Sequence, residues 1–306
     1  MMLSFYSSFF RCSCWSCLLL IGLQSWPSNG WTQTGCTDPL ATNYDPTAVD
    51  NDGSCVYAPT SYSLNSVALL PATLSESSGL ALTTAGLWTH NDGGNAAELY
   101  RIDDTDGSIQ QTITIANSMN QDWEDLAESE DYLYIGDFGN NNGDRMDLRI
   151  YRIDKSELGN AIVAAEVIEF AFSDQTDFSI QPNNHNFDCE AFFYYQDSLH
   201  LFSKNWVDNQ TRHYSLPASP GSHTAILRES FDVQGLVTGA DISEQGIISL
   251  IGYTGSGLNF MWLLFDYQAQ QFFSGNKRRI DLGSGLTNSQ TEGIVFEDQF
   301  TGYISS

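Results

Sequence analysis

The sequence is poor in basic residues: 12 lysines and arginines stand against 38 aspartates and glutamates in 306 residues, a formal net charge of -26. A surface this acidic repels phosphate backbones and anionic lipid headgroups, which argues against a nucleic-acid-binding or membrane-surface protein. It attracts cations, so divalent cations are the expected partners; the alternative is that the charge only keeps the protein soluble. Charged residues make up only 16% of the chain, which excludes a coiled coil.

Long apolar runs are also lacking. No stretch after the first thirty residues approaches eighteen apolar residues, so no membrane span is expected. Residues 1–30 have the features of a signal peptide, because Arg11 precedes a short apolar run at 17–23. Cleavage is expected between Gln24 and Gln33. We therefore expect a secreted protein, extracellular or at the cell surface.

Cysteine is scarce, with six residues in the chain. Three of them lie in the predicted signal peptide: Cys12, Cys14 and Cys17. Of the others, Cys36 and Cys55 bracket an acidic loop and are expected to form a disulfide bond, which leaves Cys189 as a buried thiol. Hydrophobic residues (42%) and aromatics (13%) suffice for a packed core and exclude wholesale disorder.

Residues 35–57 have a pattern of their own, rich in oxygen-bearing side chains. These side chains are Asp38, Asn43, Asp45, Asp50, Asn51 and Asp52. The sequence Asp50-Asn51-Asp52-Gly53 has the alternating acid and tight glycine turn of calcium loops. With so few apolar residues, this segment needs a Cys36–Cys55 bridge, a bound cation or both to be stable.

The segment GCTDPLATNYDPTAVDNDGSCVY resembles the module G-C-T-D-P-x-A-x-N-Y-x-P-x-A-x-x-D-D-G-S-C found near the ends of many secreted bacterial proteins. It is loosely similar to thrombospondin type 3 calcium repeats. The expected calcium ligands are Asp38, Asn43, Asp45, Asp50 and Asp52. Asn51 stands where the pattern usually has aspartate, which removes one charge. The alternative is a disulfide-closed acidic spacer without metal.

From about residue 60 to residue 306 the chain is strand-like, with short apolar or alternating runs separated by Asn, Asp and Gly. An acid recurs just before a short apolar strand. It occurs at Glu76, Glu124, Glu190, Asp241 and Glu292, at spacings of 48, 66, 51 and 51 residues. An insertion at 173–187 explains the long interval. Further strands follow each acid, as in YLYIGDF, LRIYRID and VIEFAF after Glu124.

Four antiparallel strands per unit, repeated around a ring, predict an all-β fold: a β-propeller of about five blades, with six as the alternative. The run SYSLNSVALL is expected to be an outer strand that closes the ring with the last blade. That blade stops in its second strand at Ser306, so its third strand is expected to be missing and the propeller to be truncated. Residues 155–167 are a helix candidate.

In a propeller the inner strand of each blade starts at the mouth of the central channel, so the recurring acids should converge there. Convergent carboxylates repel one another unless they are protonated or a cation neutralises them, and oxygen ligands suit Ca²⁺ or Mg²⁺. The expected ligands of a channel calcium are Glu124, Glu190, Asp241 and Glu292. The alternative is that these acids accept backbone N–H groups and only hold the blades together.

The candidate catalytic residues are His90, Lys204 and Glu190. His90 and Lys204 are expected at equivalent turn-proximal positions of blades one and three, where either could act as a general acid/base or grip a phosphate. Three tryptophans are expected near the same mouth, to stack on a sugar or to pack the blades: Trp88, Trp123 and Trp206. Sequence patterns of serine hydrolases, zinc proteases and nucleotide loops are absent.

The ordered motifs DWEDLA, LYIGDFGNN, FDCEAFF, VTGADIS and TEGIVF resemble a family of secreted bacterial β-propellers in which these positions have no established catalytic role. They are more distantly similar to phytase-related esterase-like propellers, to gluconolactonase-type propellers with a channel calcium, and in plan to five-bladed calcium-activated nucleotidases. The resemblance adds Asp137 to the expected calcium ligands.

We expect a secreted calcium-binding propeller that acts as a binding or scaffold module for a small-molecule, glycan or protein ligand. The alternative is a calcium-dependent hydrolase of a phosphate ester or lactone at the same channel mouth.

Overall fold

The computed structural model describes residues 1–6, 33–285 and 289–306. Within these ranges 23 strands are numbered in chain order. The N-terminal residues form β1 (Met2–Tyr6), and the small module contributes a parallel pair, β2 (Thr34–Gly35) and β3 (Asp50–Asn51). Single-turn 3₁₀ helices lie at Ala72–Leu74, Lys155–Glu157 and Phe272–Ser274.

The described strands form five four-stranded antiparallel blades, which confirms the predicted propeller. Blade 1 contains β5 (Ser77–Thr83), β6 (Gly86–Asn91), β7 (Glu98–Ile102) and β8 (Ile109–Ile115). A short strand, β12 (Ile162–Val163), lies parallel to β8. Blade 2 contains β9 (Trp123–Glu128), β10 (Tyr132–Asp137), β11 (Arg149–Asp154) and β13 (Glu166–Phe172).

Blade 3 contains β14 (Asp188–Tyr195), β15 (Ser198–Lys204), β16 (Thr211–Pro217) and β17 (Gly221–Phe231). Blade 4 contains β18 (Leu236–Ile242), β19 (Ile248–Tyr253), β20 (Leu258–Phe265) and β21 (Asn276–Ser284). The outer strands β13 and β17 pair in parallel and join blades 2 and 3 into one sheet.

Blade 5 combines both ends of the chain. Its strands run in the order β22 (Ile294–Phe296), β23 (Thr301–Ser305), β1 and β4 (Asn65–Ala68). The predicted ring-closing strand from SYSLNSVALL is thus confirmed as β4. The third place, expected from the sequence to be empty, holds Met2–Tyr6. The rest of the predicted signal peptide, residues 7–30, lies outside the described residues.

The position of each strand in its blade explains its sequence pattern. Inner and second strands are covered by neighbouring blades on both faces, so β15 and β19 are almost continuously buried. Outer strands have one exposed face, and β13 accordingly alternates between exposed and buried residues. The helix candidate at 155–167 is wrong: after one 3₁₀ turn the chain enters β12 and β13.

The inner strands share a β-bulge near their starts, where one extra residue is inserted against the second strand. The bulged residues are Ser78 with Gly79, Glu124, Glu190 and Thr238, and Glu292 is held in the same way against Ser305. The prediction that Asp241 starts its inner strand is wrong. That strand begins at Leu236, so Asp241 is its sixth residue and Thr238 holds the equivalent position.

At the bulges or directly past them, the inner strands approach so closely that three blades carry glycine there: Gly79, Gly239 and Gly293. A Cβ atom on Gly79 would overlap the backbone of Asp125 and Leu126, and one on Gly293 would overlap that of Ser78. At the same level Asp125 fills the axis. Its carboxylate accepts hydrogen bonds from the backbone N–H groups of Leu126 (2.9 Å), Phe192 (3.1 Å) and Ala240 (3.4 Å), which lie on blades 2, 3 and 4.

The N-terminal module packs against blade 4. The predicted Cys36–Cys55 disulfide bond is confirmed, and Cys189 is a buried free thiol as expected. Tyr57 contacts the Phe265 ring at 6.2 Å between centroids, and its hydroxyl donates to Asp38 (2.7 Å). A disulfide bond of this kind is typical of oxidising compartments.

Candidate metal centre at the channel mouth

Three carboxylates from blades 1 and 2 converge where the inner strands begin. Asp92 directly follows β6, Asp122 directly precedes β9, and Glu124 is the bulged second residue of β9. One oxygen of each lies within 4.8 Å of one oxygen of the others. This trio is the one group of at least three acidic, histidine or cysteine side chains with such spacing in the described part of the chain.

Glycines create the space in which these carboxylates meet. A Cβ atom on Gly139 would overlap the carboxylate oxygens of both Glu124 and Asp122, and one on Gly93 would overlap Asp122. The Glu124 side chain is buried, with 6% exposure, and its carboxylate lies against those of Asp92 and Asp122. Carboxylates held this close repel one another, so the arrangement fits an oxygen-preferring cation.

A buried ion pair lies beside the trio. The Lys204 ammonium donates to both carboxylate oxygens of Glu190, at 2.5 and 2.6 Å. Both side chains are buried, with exposures of 6% and 5%. Burial acts to lower the pKa of Lys204, but the attraction of Glu190 and Asp188 outweighs it and places the pKa above its usual range. Lys204 therefore neutralises Glu190, which is not free to bind a metal while this pair persists.

Burial and mutual repulsion favour protonation of the remaining carboxyls. Burial, together with the charges of Asp92 and Asp188, raises the pKa of Asp122 to about 7. Burial also raises the pKa of Glu292 to about 7, although Lys204 opposes this shift. Burial followed by repulsion from Glu190 holds the pKa of Glu124 well above its usual range. A divalent cation would replace this repulsion with attraction.

Of the five calcium ligands expected in the channel, three lie near enough to interact electrostatically, because Glu190 repels both Glu124 and Glu292, but only Glu124 belongs to the trio. Asp137 is occupied elsewhere, because it pairs with Arg145 (3.0 Å) and accepts the backbone N–H of Asp122 (3.1 Å). Asp241 points to the opposite channel mouth and accepts the backbone N–H of Phe296 (2.7 Å). Asp137, Asp241 and Asp125 all accept backbone N–H groups. Their contacts match the alternative interpretation, in which the acids hold the blades together.

His90 does not occupy the position expected for it. It is fully buried, its Nδ1 lies 2.9 Å from the carbonyl oxygen of Asn91, and burial lowers its pKa to about 4. The residue of blade 1 that matches Lys204 is Asp92, because it faces Glu76 as Lys204 faces Asp188. Lys204 and Glu190 do lie at the mouth, but as partners of each other.

The aromatic residues at the mouth are fewer than expected. Trp88 and Trp123 are fully buried inside the blades. Trp206 is half-buried at the mouth, where its indole N–H donates to Asp188 (2.8 Å). Lys204 lies 4.9 Å from the centre of the Trp206 ring and 5.4 Å from that of Tyr253.

The insertion at 173–187 helps to fix the loop that carries Gly139. The carbonyl oxygens of Asn141 and Asn142 accept backbone N–H groups from Asn183 and Gln181. The Asn140 side chain donates to the carbonyl oxygen of Phe187 (2.9 Å). The backbone of the insertion thereby holds the loop over the trio.

The acids of the N-terminal module make turn contacts. Asp45 accepts from the backbone N–H and the hydroxyl of Thr47 (2.8 and 2.6 Å), and Asp52 accepts from the backbone of Ser54 (2.9 Å). Asn43 bonds the backbone of Ser54 and Val56 (2.8 and 2.7 Å). Calcium binding by Asp38, Asn43, Asp45, Asp50 and Asp52 stays a prediction.

Sequence reasoning missed Asp92 and Asp122 as members of the trio. Asp122 is visible in the sequence as part of the acid pair in Asp122-Trp123-Glu124, and Asp92 stands before the double glycine of HNDGG. A carboxylate followed by glycine at a strand end is a signal for an open ligand position, but the strand pairing was needed to place the two side by side.

The pH dependence of stability tests the protonation of Asp122. In calcium-free buffer, the wild type should lose about 1 kcal/mol of unfolding free energy relative to Asp122→Asn between pH 6 and pH 8. A carboxyl whose pKa is raised on folding stabilises the protein while it binds its proton, and this contribution disappears as the pH rises through the folded pKa of about 7. Urea unfolding of both proteins at each pH measures it. A wild type that gains stability over the variant with rising pH would contradict the assignment.

Fold and site together define a five-bladed β-propeller with a carboxylate trio at one channel mouth. No family model matches the chain. Ribulose bisphosphate carboxylase/oxygenase activase 1, chloroplastic, of Larrea tridentata is 83% identical over 23 residues, or 8% of this chain. The chain spans only 5% of the length of this curated relative.

The chain is similar to several solved structures, at low sequence identity and with TM-scores below 0.5. A candidate gluconolactonase has 15% identity and a TM-score of 0.39, over 74% of this chain and 73% of its own. The calcium-binding protein regucalcin of Agrobacterium tumefaciens has 12% identity and a TM-score of 0.34, over 72% of this chain and 77% of its own. Drosophila Semaphorin 1b, extracellular domains 1–2, has 10% identity and a TM-score of 0.35, over 75% of this chain and 63% of its own. Similarity at this level carries no argument about activity. No helix in the described ranges is long and apolar enough to cross a bilayer.

Proposed function

We propose that this protein is a secreted calcium-binding propeller that holds one Ca²⁺ at the channel mouth through Asp92, Asp122 and Glu124. The observation that carries the proposal is the convergence of three carboxylate oxygens within 4.8 Å of one another, one of them from the buried Glu124. A cation bound by these three carboxylates would neutralise their mutual repulsion and so stabilise the folded state.

The donor set favours calcium. Carboxylates alone supply the ligands, and calcium accepts irregular arrangements of six to eight oxygens, whereas magnesium demands near-ideal octahedral geometry. Asp92 is exposed and Asp122 is half-buried, so the cation would keep open positions towards solvent. These positions are where an oxygen-bearing ligand would bind, and the half-buried Trp206 and Tyr253 provide contact area beside it.

The test is calcium-dependent stability. A folded-state ligand at a hundredfold excess over its dissociation constant stabilises by about 2.7 kcal/mol, which should raise the Tm by several degrees. Glu124→Gln should abolish the increase in Tm and also the part of the calcium-binding heat that belongs to this site in titration calorimetry.

Glu169→Gln removes the same charge from an exposed position on β13 and serves as the control. If calcium raises the Tm of wild type and of both variants equally, the cation only screens surface charge and the proposal fails. Binding at the N-terminal module would leave a calorimetric signal in Glu124→Gln but would not restore the lost increment.

A calcium-dependent hydrolase is the second candidate, favoured by Glu292. This residue lines a cavity of about 310 Å³ together with Asp92, its pKa is raised to about 7, and its carboxylate accepts no hydrogen bond from the described residues. Such a carboxyl can take a proton from water near neutral pH. A panel of phosphate esters and lactones with calcium or chelator tests this. Turnover that needs calcium and falls at least a hundredfold in Glu292→Gln supports a hydrolase. If no substrate on the panel is turned over, the hydrolase candidate fails and the binding function stands.

A further inference from the structure

The propeller face opposite to the trio carries two neighbouring cavities. One, of about 300 Å³, lies at the far channel mouth around Asp241 and Glu244. The other, of about 490 Å³, lies between blades 2 and 3 beside Tyr132 and Asp197. Tyr194 lines both cavities, so its half-buried ring stands between them.

The two cavities are strongly acidic. Eight carboxylates line them, against one basic side chain, Arg152. Arg152 is already engaged by Glu166 (2.6 Å), and Lys155, which lies outside both cavities, pairs with Glu128 (2.6 Å). The negative charge of the lining is therefore mostly uncompensated by neighbouring side chains, which favours a cationic ligand.

Aromatic rings provide faces for such a ligand. Tyr194 stacks on Tyr134 at 5.8 Å with nearly parallel planes, and its hydroxyl donates to Asp197 (3.0 Å), which fixes the ring. The Arg152 guanidinium lies 4.0 Å above the centre of the Tyr132 ring. The Tyr132 face is thus covered by the protein's own guanidinium in the geometry of a cation–π contact, and Tyr194 is the ring that lines both cavities.

The carboxylates on this face are spaced differently from those of the trio. The spacing decides whether they suit an inorganic divalent cation or an organic ammonium group. Among the described residues, no three carboxylates on this face bring their oxygens within 4.8 Å of one another. An inorganic divalent cation needs such convergence, because it binds several oxygens at short distance. Carboxylates dispersed around aromatic rings instead match an alkylammonium group, which combines charge with apolar surface.

We propose that this face binds a flexible organic polycation of the polyamine class, with one ammonium group in each cavity and its alkyl chain across the Tyr194 ring. The site is separate from the calcium site, and its occupancy does not depend on Glu124. The net charge of -26 adds long-range attraction for such a ligand.

Titration of the full chain with spermidine in saturating calcium tests the proposal. Calcium occupies other cation sites, so the remaining heat reports this face. Tyr194→Leu keeps the charge and the apolar bulk but removes the aromatic face, and should weaken spermidine binding about tenfold. Tyr194→Phe should keep most of the affinity. Asp197→Asn should weaken binding several-fold, whereas the charge-matched control Glu169→Gln should not.

Equal spermidine affinity in wild type and Tyr194→Leu would overturn the proposal, because binding would then follow net charge alone. Displacement of spermidine by magnesium at equal ionic strength would overturn it as well, in favour of an inorganic cation. If Tyr194→Leu does not fold, Asp197→Asn and Tyr194→Phe against Glu169→Gln still decide the outcome, and loss of binding in Glu169→Gln contradicts a localised site.

Discussion

Lys204→Met is expected to lower the unfolding free energy by about 3–5 kcal/mol, the cost of leaving one charge of a buried pair without its partner. The variant keeps the length of the side chain but removes the ammonium that neutralises Glu190. The orphaned carboxylate would stay buried next to Glu124 and Asp188. Urea unfolding in calcium-free buffer measures the loss, and the double variant Lys204→Met/Glu190→Gln should recover most of it.

The matched control is the pair formed by Lys155 and Glu128. It has the same short separation, 2.6 Å, but side-chain exposures of 19% and 38%. Lys155→Met should therefore cost no more than about 1 kcal/mol. If Lys204→Met is as mild as Lys155→Met, water reaches the Glu190–Lys204 pair and the mouth is wetter than the described contacts imply.

Lys204→Met should also change the affinity of the trio for calcium. The Lys204 ammonium repels a cation at the trio and occupies Glu190, so its removal should tighten calcium binding and make the stability loss smaller in calcium than in chelator. A loss that is independent of calcium would mean that the pair and the trio do not interact.

Asp125→Ala should have an effect of similar size, about 3 kcal/mol or more. The wild-type carboxylate accepts three buried backbone N–H groups, from Leu126, Phe192 and Ala240. Each buried donor left without an acceptor costs about 1–3 kcal/mol. Asp125→Asn keeps one acceptor oxygen and should lose less than Asp125→Ala, although its amide N–H₂ must face a backbone donor.

Asp232→Ala is the control for this substitution. Asp232 accepts one backbone N–H, that of Gln234 (3.1 Å), at an exposed turn, so its loss should stay within about 1 kcal/mol. Thermal or urea unfolding of the three variants separates the outcomes. Equal stability of Asp125→Ala and wild type would show that the axis admits water in place of the carboxylate.

The expected fold followed from local features of the sequence. Strands with apolar or alternating patterns recur at intervals of about fifty residues, and the outer strand before the first unit had to pair somewhere, so the ring closure by Asn65–Ala68 was predictable. The disulfide bond between Cys36 and Cys55 was predictable because these cysteines close a segment with little core of its own.

The candidate site was only partly predictable. Glu124, Glu190 and Glu292 were expected at the mouth, and all three lie there. Asp241 was misplaced because an acid three residues after Thr238 satisfies the same loose motif. In a strand this shift moves the side chain to the other face and towards the other end of the channel. The bulge positions, which decide which side chain faces the mouth, leave no fixed mark in the sequence.

The sequence by itself determined the acidic surface, the strand repeat and the set of carboxylates available to the mouth, because these depend on composition and on contacts within a blade. Tertiary structure alone decided that Lys204 neutralises Glu190, that Asp92 from blade 1 meets Asp122 and Glu124 from blade 2, and that Asp125 seals the axis. These contacts join residues of different strands and blades, and their geometry is fixed only when the ring closes and the inner strands pack at glycine-limited distance.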